Sequence, residues 1–228
     1  MKLAELLKRL KLSGSSEIKD IVLYFKEGKV SAYNTSPDKT TASMVENYKT
    51  DVKVNTTIGV PSISILEKYL KEFGENFKVE KNKLIFEKNN KKVSLSLIET
   101  SAVDSAVPKE KFKEWIDVVK GNEIKKLVLS SDRIKEIVND AKIIKATDIK
   151  IKFGNKISII LSDVDGSNTI EHTIEEGYKG EAIEIDFPPT LLDVLNSLVE
   201  TSTFHIAPEK PLLIESGEIT YLVAPRMV

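Results

Sequence analysis

Cysteine is absent from all 228 residues. Disulfides, thiolate nucleophiles and zinc–thiolate sites are thereby excluded, and the absence fits a reducing compartment such as the cytoplasm. Histidine is nearly as scarce: His172 and His205 stand alone, on different expected strands. Two imidazoles without a thiolate make a poor metal set, so no metal and no other cofactor is expected. An excess of one charge is also missing, since 34 Lys and Arg face 35 Asp and Glu for a net charge of −1. No global basic surplus announces nucleic acid, and such a partner must be met by local charge. No apolar run approaches the roughly 18 to 20 residues that span a bilayer. The N-terminal run is broken by Glu5, Lys8, Arg9 and Lys11, so an amphipathic helix is expected there rather than a signal peptide, and no membrane partner. No G-x-S-x-G, phosphate loop or dinucleotide fingerprint occurs, so the chain is not expected to be an enzyme. Asp163-Val164-Asp165-Gly166 is reminiscent of a calcium loop, but Ile174 stands where the bidentate Glu belongs, and a hairpin turn is the reading.

What is present is an ordinary globular composition, 41% hydrophobic and 30% charged, in a length that suits two small domains, each able to bury its own core. Leu3, Leu6, Leu7 and Leu10 recur at helical spacing. Strands are expected over 21–25, 29–33, 43–48 and 52–60. Pro61-Ser62 then opens a helix with an apolar stripe of Ile63, Leu66, Tyr69, Leu70 and Phe73, closed by Gly74. Short strands over 77–79, 83–87 and 92–99 complete the first half. Residues 100–118 form a connector whose first part, small and polar up to Pro108, is expected to be extended. Afterwards the order returns: a helix capped by Ser130-Ser131-Asp132, strands over 149–153, 156–161, 169–174 and 182–187, a helix led by Pro188-Pro189, and strands over 204–207, 211–215 and 219–223.

The two halves are in register. Pro61 and Pro188 lie 127 positions apart, as do Lys29 and Lys156, and Phe25 and Phe153 lie 128 apart. Landmarks at nearly one offset, each in the same element context, indicate a duplicated unit. The expected fold class is α+β, with domains over 1–99 and 119–228 joined by the connector 100–118.

The C-terminal run Glu209-Lys210-Pro211-Leu212-Leu213-Ile214-Glu215, followed by Ile219-Thr220-Tyr221-Leu222-Val223-Ala224-Pro225-Arg226-Met227, resembles the end of the DNA sliding clamps typified by proliferating cell nuclear antigen. Val107-Pro108-Lys109-Glu110 with Phe112 resembles the end of that family's interdomain connector, and the element order matches over essentially the whole chain. The resemblance implies two similar domains, each laying two helices on antiparallel sheet. It also implies a homotrimeric ring around duplex DNA, a DNA polymerase and a clamp loader as partners, and a role as polymerase processivity factor. The short chain and trimmed loops look more like a phage or viral clamp, which would place it in the host cytoplasm. Two alternatives stand beside this: a clamp-like subunit acting as a monomer or in a hetero-ring, and a duplicated α+β scaffold that binds only proteins.

Three surfaces follow from the resemblance. Helices lining a channel should carry cations on their solvent faces, since sliding needs attraction to phosphates without base readout. The candidates are Lys8, Arg9, Lys11, Lys68, Lys71, Lys135 and Lys142. The four helical stretches carry net charges of +3, 0, +1 and −2, so the last of them, with Asp193 and Glu200, fits least well. A partner-peptide pocket is implied at Val103, Ala106, Val107 and Pro108 on one wall and Pro211, Val223, Ala224 and Pro225 on the other. Edge strands that long are normally paired or protected, so a subunit interface is expected at Val93, Leu95 and Leu97 against Ile170, His172 and Ile174.

Overall fold

A computed structural model describes residues 2–226. Met227 of the C-terminal run, and Met1 and Val228 at the outer bounds of the two expected domains, lie outside the described residues. The chain separates into two compact units: residues up to Lys113 together with Glu218–Thr220, and Glu114–Gly217 together with residues from Tyr221 on.

The first unit runs α1 (Leu3–Lys11), β1 (Ile21–Lys26), β2 (Lys29–Thr35), β3 (Thr41–Lys49), β4 (Thr56–Val60), α2 (Ile63–Phe73), β5 (Phe77–Glu80), β6 (Lys83–Lys88) and β7 (Lys91–Ser96). Its strands lie in the antiparallel orders β4-β1-β2-β3 and β5-β6-β7. The leucine stripe of α1 is fully buried and packs against α2, whose Ile63, Leu66, Leu70 and Phe73 are buried in turn. Each such side chain removed from water contributes roughly 1.5 to 3 kcal/mol. Ser62 caps α2 by accepting from the Ile65 N–H at 3.4 Å, and Gly74, at φ +86°, stops it. Gly59 on β4 is required for a different reason. A Cβ there would lie 2.5 Å from the Ile98 carbonyl oxygen, where the chain leaving β7 bridges back to β4.

After α3 (Lys109–Gly121), the second unit continues with β8 (Lys125–Leu129), α4 (Ser131–Ile144), β9 (Asp148–Phe153), β10 (Lys156–Ser162), β11 (Thr169–Glu176), β12 (Glu184–Phe187), α5 (Thr190–Ser197), β13 (Ser202–Ile206), β14 (Leu212–Ser216) and β15 (Ile219–Val223). Its strand orders, β12-β9-β10-β11 and β15-β14-β13-β8, repeat those of the first unit strand for strand, with β8 added beside β13. The helix pairs repeat as well, α4 packing on α5 as α1 packs on α2. Lys29 opens β2 and Lys156 opens β10, so the offset of 127 seen in the sequence is the offset of the structural repeat. Ser130 accepts from the Arg133 N–H at 3.3 Å, capping α4 as Ser62 caps α2. Asp163 closes the β10–β11 turn through Ser167 and Asn168, its backbone bond from Asn168 measuring 3.2 Å. The calcium-like stretch is therefore a turn.

The connector and the segment after it differ from the sequence reading. The first part of the connector is not extended throughout: Thr100–Ala102 forms a short 3-10 turn, and only residues 105–107 run alongside β2, with Thr35 N–H donating to Ser105 O at 2.8 Å and Val107 N–H to Tyr33 O at 3.1 Å. From Lys109 the connector is α3, a helix where the sequence reading assigned no element. Pro108 ends the extended run and leads into the helix, and Phe112 and Val119 on its inner face are fully buried. Strand β8, between the connector and Ser130, was also not anticipated. Its signal is a bare alternation, with Leu127 and Leu129 buried and Val128 exposed.

The second unit encloses a polar cluster. His205 on β13 is buried, with Nδ1 against Glu123 and Nε2 2.9 Å from Glu215, and Lys120 meets Glu215 at 2.7 Å. Burial raises the Glu215 carboxyl, but hydrogen bonds from Lys120 and His205 outweigh it and hold the group below its ordinary 4.5. A carboxyl lowered by folding stabilises the native state above its unfolded value, and that contribution is lost as pH falls through the folded value. We expect the urea midpoint to fall as the pH is taken down through and below the ordinary 4.5, and Glu215→Gln to flatten this limb. An acid limb identical in the variant would remove Glu215 from the account.

Candidate functional site

The helices present the first candidate surface. Lys8 on α1 and Lys68 on α2 are exposed and, among the described residues, belong to no ion pair. The other expected cations are engaged. Lys11 is half-buried against Glu17 at 3.2 Å, Lys71 pairs with Glu67 one turn before it, and Lys135 lies 3.5 Å from Asp132. Lys142 donates to Asn196 Oδ1 on α5 at 3.1 Å, so a cation from α4 reaches over the acidic helix. Arg9 departs from its expected place. It is only 6% exposed, because at position 9 it falls beside the leucine stripe rather than opposite it. Of the seven expected cations, Lys8 on α1 and Lys68 on α2 are thus the two left exposed and without a partner among the described residues.

The second surface consists of sheet edges. β7 closes one side of β5-β6-β7 and β11 closes one side of β12-β9-β10-β11. On β7, Leu95 is buried while Val93 is half-buried; Leu97, just past the strand, is half-buried too. On β11, His172 is buried, and Ile170 and Ile174 are half-buried. Each edge thus offers apolar side chains beside unpaired backbone groups, a combination that favours strand addition.

For the expected pocket, the first-unit residues Val103 and Val107 are buried, Ala106 is half-buried and Pro108 exposed. In the second unit Val223 is buried, and Pro211, Ala224 and Pro225 are half-buried. There Pro225 lines a groove with Ile183, Ile185 and Pro208, rimmed by Glu181, Glu184, Asp186 and Glu209. Arg226 shapes its end, donating its N–H to Asp186 O at 2.8 Å and pairing with Asp148. Glu184 is held down to about 2 by hydrogen bonds from Lys152 and Lys150, so much of its charge is already answered within the β9–β12 pair. The groove residues on β12 and Pro208 were not singled out from sequence, because nothing in their spacing sets them apart from ordinary strand and turn.

No family model matches the sequence, and no curated protein does. Solved structures do. A beta sliding clamp from Caulobacter crescentus superposes at TM-score 0.68 with 18% identity, covering 100% of this chain and 64% of that one. A putative DNA polymerase III beta subunit from Eubacterium rectale superposes at 0.70 with 16% identity over 99% of this chain and 63% of that one. Proliferating cellular nuclear antigen from Entamoeba histolytica superposes at 0.67 with 15% identity, over 98% of this chain and 94% of that one. The chain therefore spans less than two thirds of the length of these bacterial clamps and nearly all of the amoebal one. Two repeated α+β units, each with a helix pair and antiparallel sheet, give this chain the DNA sliding clamp fold.

Proposed function

We propose that the chain is a non-enzymatic processivity factor, a sliding clamp that closes as a homotrimeric ring around duplex DNA and tethers a polymerase. The observation that carries the reading is the duplication: a repeat of helix pair plus sheet, ending in the unpartnered edges β7 and β11, inside the fold of solved sliding clamps. Within this reading, residues 1–99 and 119–228 are the clamp domains and 100–118 the connector. Two domains per chain favour three chains per ring, with β7 of one meeting β11 of the next head to tail. Helices α1, α2, α4 and α5 face the DNA, and contact is carried mainly by Lys8 and Lys68.

Client proteins dock a short peptide at the groove beside Pro225, whose apolar floor and acidic rim suit apolar anchors flanked by basic residues. A loader opens the ring, and the protein acts in the cytoplasm, that of the host if its source is a phage or virus. Topology and electrostatics can be told apart by salt. On linear duplex with both ends blocked after incubation, a threaded ring stays bound through about 1 M salt, where the Debye length falls to roughly 3 Å, and is released when the DNA is cut. Retention lost with salt alone would contradict encirclement.

A further inference from the structure

We propose that Glu136, Asp140 and His172 form a binding site for a divalent transition-metal ion of the zinc class. Glu136 and Asp140 lie one turn apart on α4, so both carboxylates project from the same face toward β11. His172 comes from that strand. One donor atom from each of the three lies within 4.8 Å of the others.

His172 gives the cluster its meaning. The residue is only 5% exposed, and its Nε2 has no hydrogen-bond partner among the described residues. Asp140 Oδ2 lies 3.2 Å from that nitrogen but off the line a hydrogen bond needs. A buried, unsatisfied imidazole nitrogen costs roughly 1 to 3 kcal/mol, and the carboxylates beside it repel one another. A cation between them relieves both.

Arg133 does so only in part. It binds Glu136 Oε2 at 2.5 Å and the Thr173 carbonyl at 3.1 Å, which ties α4 to β11 and orients the carboxylate as an outer-shell partner does. The second Glu136 oxygen remains available as a donor.

The donor set selects the ion. Imidazole with two carboxylates suits zinc and its neighbours, whereas magnesium and calcium take all-oxygen shells. Ligand radii of about 2.0 to 2.2 Å in a tetrahedral shell place donors about 3.3 to 3.6 Å apart. The present spread closes by side-chain rotation of Glu136, which is exposed, and Asp140, which is half-buried. Three protein ligands leave the remaining position to water. The inference holds whether or not the chain closes into a ring.

Calorimetric titration of zinc chloride into untagged, chelator-treated protein tests it. The expected result is one ion per chain with micromolar affinity, a raised unfolding temperature, and no comparable binding of magnesium. Asp140→Asn, Glu136→Gln and His172→Ala should each weaken binding at least about tenfold. The first two alter side chains outside the core and keep the fold. Absence of zinc binding, or zinc binding unchanged in Asp140→Asn and Glu136→Gln, overturns the assignment, including the case in which only His172→Ala loses binding together with cooperative unfolding.

Discussion

Reversing Lys8 and Lys68 to Glu should weaken binding to duplex DNA at least about tenfold near 0.1 M salt and lower the slope of log K against log salt by about 2 or more. The expectation follows from which cations are spare. Lys11, Lys71 and Lys135 each face a carboxylate already, at 3.2 Å for Lys11 and 3.5 Å for Lys135, and a paired cation releases fewer counterions on meeting a phosphate. Lys8 and Lys68 have no such partner among the described residues. The control is the same change of charge at Lys26 and Lys29, exposed at the β1–β2 turn. Net charge alone would make the two double variants equal, and equality would remove α1 and α2 from the DNA-facing surface. Fluorescence anisotropy over a salt series reads all of these.

The second large effect concerns the strand edges. Val93→Asp on β7 or Ile170→Asp on β11 puts a carboxylate at the centre of the proposed strand pairing. A buried, unpaired charge at an interface costs roughly 2 to 5 kcal/mol, a weakening of about thirtyfold to several thousandfold. Both positions are half-buried within the chain, so the fold survives while assembly fails at micromolar concentration. Mixing the two variants discriminates further. In a head-to-tail ring the Val93→Asp chain keeps a sound β11 and the Ile170→Asp chain a sound β7. The mixture should therefore recover a two-chain species and no ring. Full recovery of the wild-type mass, or no effect of either substitution, would place the boundary elsewhere.

Much of the fold was legible because the two periods were clean. The leucines of α1, the capped stripes of α2 and α4, and the alternating strands each satisfy a local rule with the pattern that also buries them. The duplication amplified these signals, since Lys29 and Lys156 mark the same turn in two contexts. Helix α3 was missed for a physical reason: Pro108 and the small polar residues before it dominate the segment. The apolar spacing of Phe112, Trp115, Ile116 and Val119, which is helical, lies in a stretch, Lys109–Gly121, about half made of Lys, Glu and Asp. Strand β8 is five residues with one exposed valine between two leucines, too short for alternation to stand out.

Surface assignments depend on tertiary placement and were less legible. Arg9 shares the charge of its neighbours but not their exposure. The groove beside Pro225 draws on three separate segments, and spacing along the chain cannot bring these together. His172 illustrates the same limit. In sequence it is one of two isolated histidines; in the fold Glu136 and Asp140 come to it from a helix more than thirty positions away.

The central claim is closure of a ring, and sedimentation equilibrium of the wild-type chain at micromolar concentration tests it most directly. Three copies of a 25.5 kDa chain predict a mass near 77 kDa, about three times the monomer, that holds steady as the protein is diluted through the micromolar range. A species of 25.5 kDa throughout that range would contradict the account.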